Sequence, residues 1–261
     1  METRLKFIKD LEIYQYEKPF ECDFDVSKFG PDARRTNVEY EECNVLVHDI
    51  RGREGDFKLN HNGFEIIRKP SEIPLEDLMQ DDIVQNGYFE EVAEILKTRL
   101  NAARVHIFHY ERRDNRPQGE YLLGSSKPVN IAHIDQSQDT LKLRVLEHFG
   151  DAEGLTILEN HKVEIVNAWR AILGPINDMP LAFCDTRSVK TNDCVAVDNV
   201  RLGTRVGENL IMRHNKDQRW YYISRQMPDE MWLFFMSGWD PANPGRIPQG
   251  DSSLYYSAHF D

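Results

Sequence analysis

At 261 residues, with 40% apolar and 29% charged side chains, the chain has ordinary globular composition and enough length for one large domain or two small ones. Its net charge of −12, with no long basic run, excludes a nucleic-acid surface, because phosphate binding needs clustered lysine and arginine. The first ten residues hold no apolar stretch of signal-peptide length, and runs such as MWLFFM at 231–236 are far too short to span a membrane.

Residues 1–85 are polar and interrupted by Gly and Pro, with short alternations such as NVLVHDI at 44–50 that predict isolated strands. They read as an N-terminal extension packed on the core. IRKPSEIPLEDL at 67–78 carries two prolines and reads as an extended connector. A helix is predicted over 86–101, where Phe89, Val92, Ala93, Leu96 and Leu100 share one face. ARVHIFHYERR at 103–113 alternates and predicts a strand. QDTLKLRVLEHFG at 138–150 predicts a short amphipathic helix stopped by Gly150.

From about 160 to 224 the texture becomes β-rich. HKVEIVNAWRAI, LAFCD, DCVAVDNV, ENLIMRH and RWYYIS are separated by turn residues, which argues for a sandwich or barrel. The tail, 228–261, is aromatic and rich in Pro and Gly, and reads as a lid or dimer contact. The expectation is one domain over 1–261, mainly β with helical additions, its core at 100–225. Cys22, Cys43, Cys184 and Cys194 are scattered and form no CxxC, which suits reduced thiols in a cytoplasmic protein.

The stretch VNIAHIDQSQDT places His133 and Asp135 two apart. On a strand, residues i and i+2 share a face, so an imidazole and a carboxylate aim at one point. They make two corners of a 2-His-1-carboxylate set, which suits non-haem Fe(II). A third ligand must come from elsewhere. In ENLIMRHNKDQRWYYIS, His214 ends one β-run and Arg219 opens the next, so a hairpin would bring them together. His214 would be the third ligand. Arg219 would anchor the far carboxylate of 2-oxoglutarate with its planar guanidinium.

The pieces AHIDQS, NAWRAILGPINDMPLAFCDTRSV and MRHNKDQRWYYISRQMPDEMWLFF, within roughly 100–240, resemble a fungal family of Fe(II)/2-oxoglutarate-dependent oxygenases. That family includes gibberellin-desaturase-like enzymes and the hydroxylases, desaturases and endoperoxide-forming enzymes of meroterpenoid and polyketide pathways. The resemblance implies a double-stranded β-helix, the jelly-roll or cupin-like fold. It implies iron on His133, Asp135 and His214, with 2-oxoglutarate on Arg219 and Tyr221 as a second contact. O2 is the implied co-substrate, and a small organic molecule the implied substrate.

Other residues carry weaker expectations. An inward Arg170 on AWRAI would need an acidic partner, a cofactor or a substrate. Asp185 and Arg187 of CDTRSV would line the barrel mouth or form a structural ion pair. Gln136 and Asn130 would orient the His-x-Asp side chains. His106, His109, His148 and His161 read as packing or surface residues, and Trp169 and Trp220 as core. The chain departs from the family pattern at Gln218, where relatives carry histidine, and at Pro248-Gln249, where they carry Pro-His. These departures support a second reading, a catalytically silent member that stabilises an active relative as half of a heterodimer; a homodimer is the other assembly expected.

Overall fold

Two sheets face one another, and what separates them in sequence is how each buries its strands. The computed structural model describes residues 1–116, 125–203 and 206–243, with the backbone of 256–259. The strands are β1 (Glu2–Ile8), β2 (Phe20–Cys22), β3 (Tyr40–Asp49), β4 (Phe64–Arg68), β5 (Arg112–Arg113), β6 (Ser125–Ser126) and β7 (His133–Ile134). They continue with β8 (Val163–Arg170), β9 (Leu181–Cys184), β10 (Cys194–Val200), β11 (Gly207–Met212), β12 (Trp220–Tyr222), β13 (Glu230–Trp239) and β14 (Tyr256–His259). The helices are α1 (Leu59–Asn62), α2 (Asp81–Ile83), α3 (Phe89–Leu100) and α4 (Gln138–Asn160).

The large sheet runs β1-β3-β12-β9-β14-β7-β11-β10-β2, and the small one β4-β13-β8. The large sheet is strongly curled. β1, at its edge, also bridges Lys6 to Ile131 just before β7, and Phe7 of β1 touches both His214 and Trp220. The expected β core with helical additions is therefore what the chain forms, with jelly-roll curvature. Residues 1–85 are woven into both sheets, β1 to β3 joining the large one and β4 the small one.

MWLFFM reads as a continuous apolar run because β13 is covered on both faces. Trp232 and Phe234 point inward, to Phe183 of β9 at 4.6 and 4.9 Å between ring centres. Phe64 stacks on Phe183 at 5.1 Å and extends the layer to Phe57. Met231, Leu233 and Phe235 point outward, against Val92 and Leu96 of α3. Arg99 near the end of α3 then grips the buried Glu65 of β4 through two contacts of 2.6 Å.

Two expectations need correction. Residues 103–111 form no ladder; β5 begins only at Arg112, because Val105 and Ile107 instead pack onto the apolar cluster between α3 and the small sheet. Gly150 does leave helical geometry, at φ 74° and ψ 163°, yet α4 resumes beyond it to Asn160. Glycine alone tolerates that backbone at no steric cost, so it serves as a kink rather than a stop. Trp232→Ala removes a fully buried indole from the layer joining the two sheets. The expected loss is about 3–5 kcal/mol of stability, read from the shift in a urea unfolding curve.

Candidate active site

β7 is two residues long and held from both sides: His133 pairs with Ile211 of β11 and with Ser257 of β14. Asp135 lies just past its end. His133 Nε2 is 3.0 Å from Asp135 Oδ1, and Nδ1 is 2.7 Å from the carbonyl oxygen of Ile131. A carbonyl only accepts, so Nδ1 carries a proton, and the neutral ring turns its Nε2 lone pair toward the carboxylate. Two acceptors at that distance repel unless a cation lies between them. The cation is either a second ring proton or a metal ion.

The opposite sheet contributes too. Asn167 of β8 donates from Nδ2 to Asp135 Oδ2 at 3.4 Å, and the Arg113 charge lies close to both groups. Burial disfavours charge on His133, but the Asp135 hydrogen bond and charge outweigh it and raise the imidazole above its ordinary 6.5. Burial likewise works against the Asp135 carboxylate, and His133, Arg113 and Asn167 together bring its pKa below the ordinary value. The His133 side chain is 18% exposed and that of Asp135 49%, so the pair is supported by protein on one side and open on the other.

The structure does not bring His214 to this pair. β11 runs antiparallel to β7 with Ile211 opposite His133, so His214 lies three residues further, toward Asn130 and away from Asp135. Three residues of extended chain span about 10 Å. The His214 ring is exposed and packs edge-on against Phe7 at 5.1 Å. The expected His214–Arg219 hairpin is absent because β11 and β12 are not neighbours; β7, β14 and β9 lie between them in the sheet. The intervening turn is pinned by Asp193, which accepts from Asn215 and Gln218, while Gln218 also donates to the Arg213 carbonyl at 2.9 Å.

Arg219 belongs to a second cluster. Asp185 is fully buried and accepts from Arg187 Nε at 2.8 Å and from Asn62 at 3.2 Å. Arg219 Nη2 stands 3.7 Å from the same carboxylate, and the side chain is half exposed. Tyr221 packs its ring on Phe57 at 4.8 Å. This cluster lies at the same end of the sheet as His133 and Asp135. Ser257 pairs with both His133 and Phe183, so β7 and β9 run in one direction on either side of β14, and two residues on are Asp135 and Asp185. Two strand spacings separate them, about 10 Å.

Arg170 faces the other way from the sequence expectation. It shares the outward register of Val166 and Ala168, toward α3, and not that of Asn167. Its guanidinium is taken by Tyr88 Oη at 3.0 Å, the Pro228 carbonyl at 2.9 Å and Glu91 at 3.5 Å. Gln136 has a buried Oε1 with no hydrogen-bond partner among the described residues. Asn130 accepts Lys6 N–H at its backbone carbonyl. Pro248-Gln249 and the side chain of His259 lie outside the described residues. Asn167 and Arg113 were missed from sequence; the signal was a polar residue in the inward register Ile165, Asn167, Trp169.

A family model described as "Oxidoreductase/YMDC permease-like domain" matches residues 5–248. The chain belongs to this family. Among the described residues no helix is long and apolar enough to cross a membrane. The hydroxylase/desaturase poxK of Penicillium oxalicum is 26% identical, over 76% of this chain and 67% of that protein. The Fe(II)/2-oxoglutarate-dependent dioxygenase nvfI of Aspergillus novofumigatus is 26% identical, over 77% of this chain and 72% of its own. The alpha-ketoglutarate-dependent dioxygenase phiK of a fungal species (strain ATCC 74256) is 28% identical, over 78% and 75%. A solved structure of the iron and alpha-ketoglutarate-dependent endoperoxidase NvfI superposes with a TM-score of 0.83 at 20% identity, covering 100% of this chain and 90% of that one. The shared fold is thus the jelly-roll expected for the family.

The donor pair fits a metal ion of this kind. Two ligands in adjacent positions of a six-coordinate ion, each at about 2.1 Å, stand about 3 Å apart, and Nε2 and Oδ1 already do. Among the described residues no group of three His, Cys, Asp or Glu side chains is placed to hold a metal ion. Because metal and ring proton compete for Nε2, divalent-metal affinity should climb about tenfold per pH unit while His133 is protonated. The raised imidazole pKa carries that climb beyond 6.5 before it levels. Co(II) titrations at a series of pH values measure it, and a flat profile would remove His133 from the ligand set.

Asp185 generates a separate expectation. Burial opposes its charge, and Arg187 and Arg219 bring its pKa below the ordinary 3.8 nonetheless. Its contribution to stability is therefore present above that value and lost as pH falls through the lower folded-state value. Asp185→Asn should cost about 2 kcal/mol at neutral pH, less than a fully buried pair because solvent reaches both arginines. The difference from the parent should close in urea unfolding below the carboxylate range.

Proposed function

We propose that the chain is an Fe(II)- and 2-oxoglutarate-dependent oxygenase that oxidises a small specialised metabolite, with His133 and Asp135 as two of its iron ligands. The observation that carries this reading is the 3.0 Å pairing of Nε2 and Oδ1, with Nδ1 committed to Ile131. The names of the relatives supply the metal and the co-substrate. Bound iron and 2-oxoglutarate would supply the oxidation of an unactivated C–H bond at the expense of O2.

The chain's own residues do the rest. The Ile131 carbonyl holds the imidazole in the tautomer that ligates through Nε2. Asp135 supplies a negative ligand, and by occupying that position it disfavours a halogenase, which needs the place for halide. Arg187 covers the Asp185 carboxylate, and the Arg219 guanidinium makes no hydrogen bond to it at 3.7 Å. Arg219 therefore keeps its donors for the far carboxylate of 2-oxoglutarate. The organic substrate of this reading is a meroterpenoid or polyketide, as the family resemblance implies, approaching from the open side of the His133–Asp135 pair. The free thiols accord with a reducing, cytoplasmic setting, and a dimer, with a second copy or a related oxygenase, stays part of the proposal.

The test is anaerobic. Fe(II) followed by 2-oxoglutarate should give the visible charge-transfer band of a chelated keto acid. His133→Ala and Asp135→Ala should each abolish the band without unfolding the protein, and a band of parent intensity in either variant overturns the ligand assignment. Arg219→Ala should raise the 2-oxoglutarate needed for half-maximal band about tenfold or more, the loss of one charge-assisted contact. An unchanged requirement would assign the anchor elsewhere.

A further inference from the structure

We propose that Asn167 is a positioning residue of the iron site, holding Asp135 to ligation through a single oxygen. The inference rests on the iron reading above. Asn167 lies on β8 opposite Phe234, in the inward register between Ile165 and Trp169, where its neighbours are apolar. An amide there is unfavourable unless it finds a partner, and its Nδ2 reaches across the space between the sheets to Asp135 Oδ2 at 3.4 Å.

Asp135 needs such support. β7 ends at Ile134, so no strand ladder fixes the aspartate, and half of its side chain is exposed. Two contacts orient the carboxylate. Oδ1 faces His133 Nε2, the side on which a cation must sit; Oδ2 faces Asn167. With a metal bound, Oδ1 would be the ligating oxygen, and Asn167 would remain to hold Oδ2 away from it. An ion held here would have to leave positions for the keto acid and for O2. A carboxylate binding through both oxygens would use a position that the co-substrate or O2 requires. An outer partner that restrains a ligand in this way commonly carries a factor of 10 to 100 in metal affinity, and about that range is expected here.

The test uses Asn167→Val, which places a strand-favouring residue there and removes the donor. Three readouts apply to the whole chain: the melting temperature, the anaerobic Fe(II) dissociation constant, and a metal-free crystal structure of parent and variant. The expected result is an Fe(II) affinity about 10- to 100-fold weaker at a melting temperature within a few degrees of the parent, with the Asp135 carboxylate rotated off His133. Asn167→Gln, which restores an amide donor, should recover part of the affinity. Unchanged affinity and an unmoved carboxylate in Asn167→Val overturn the proposal. If the parent itself binds no Fe(II), the oxygenase reading fails, and the metal-free structures still decide whether Asn167 sets the carboxylate. If Asn167→Val does not fold, Asn167→Ala takes its place with the same readouts.

Discussion

Once the Nδ1 proton of His133 is committed to the Ile131 carbonyl, the imidazole has one lone pair left, and it faces a carboxylate. Everything nearby bears on that confrontation. The Ile131 carbonyl is available because the chain around it is fixed: Lys6 bridges to Ile131, and Lys6 carbonyl receives the Ala132 N–H. β7 can be as short as two residues because β11 and β14 hold it from both sides. The result is a negatively charged pair that must take up a proton or a metal ion, in a place where one side is open to solvent.

The aromatic layer explains how two sheets from distant parts of the chain hold that geometry. Phe64 and Trp232 come from the small sheet, Phe183 and Tyr221 from the large one, and their rings interlock across the gap. The layer holds the small sheet, where β8 pairs with β13, against the large sheet that carries β7. Two polar clusters share an end of the large sheet, with β14 between their strands. The His133–Asp135 pair is net acidic and cation-seeking. The Asp185 cluster has two guanidiniums on one carboxylate and is anion-seeking. A ligand with a metal-binding head and a carboxylate tail matches that polarity, and 2-oxoglutarate is such a molecule.

How much of this the sequence disclosed follows the range of each interaction. His133 and Asp135 were legible because period-two alternation is local, and so was the doubly covered β13. The helix around Val92 and Leu96 was legible for the same reason, within a few residues at its ends. Arg170 and Asn167 were three apart on one strand, and the sequence could not say which face was inside; the sheet chose Asn167. The His214–Arg219 hairpin failed on topology. A polar turn between two β-runs ordinarily joins neighbours, but here three strands lie between them, one of them β14 from the far end of the chain. No local pattern encodes that insertion.

The same crossing gives Gln218 its meaning. A turn that carries the chain from β11 to β12 without a shared ladder has no sheet hydrogen bonds to define it, so side chains must do so. Asp193 accepts from Asn215 and Gln218, and Lys190 N–H closes onto the same carboxylate. Gln218 is buried within this knot and donates to the Arg213 carbonyl at 2.9 Å. What position 218 has to supply is a donor inside a turn. Glutamine meets that need, as a histidine N–H would, and neither would point at the His133–Asp135 pair from there. The departure at Gln218 therefore bears on how the crossing is pinned and not on metal binding. On the proposed iron reading, the site rests instead on β7, held by Ile211 of β11 on one side and by β14 on the other.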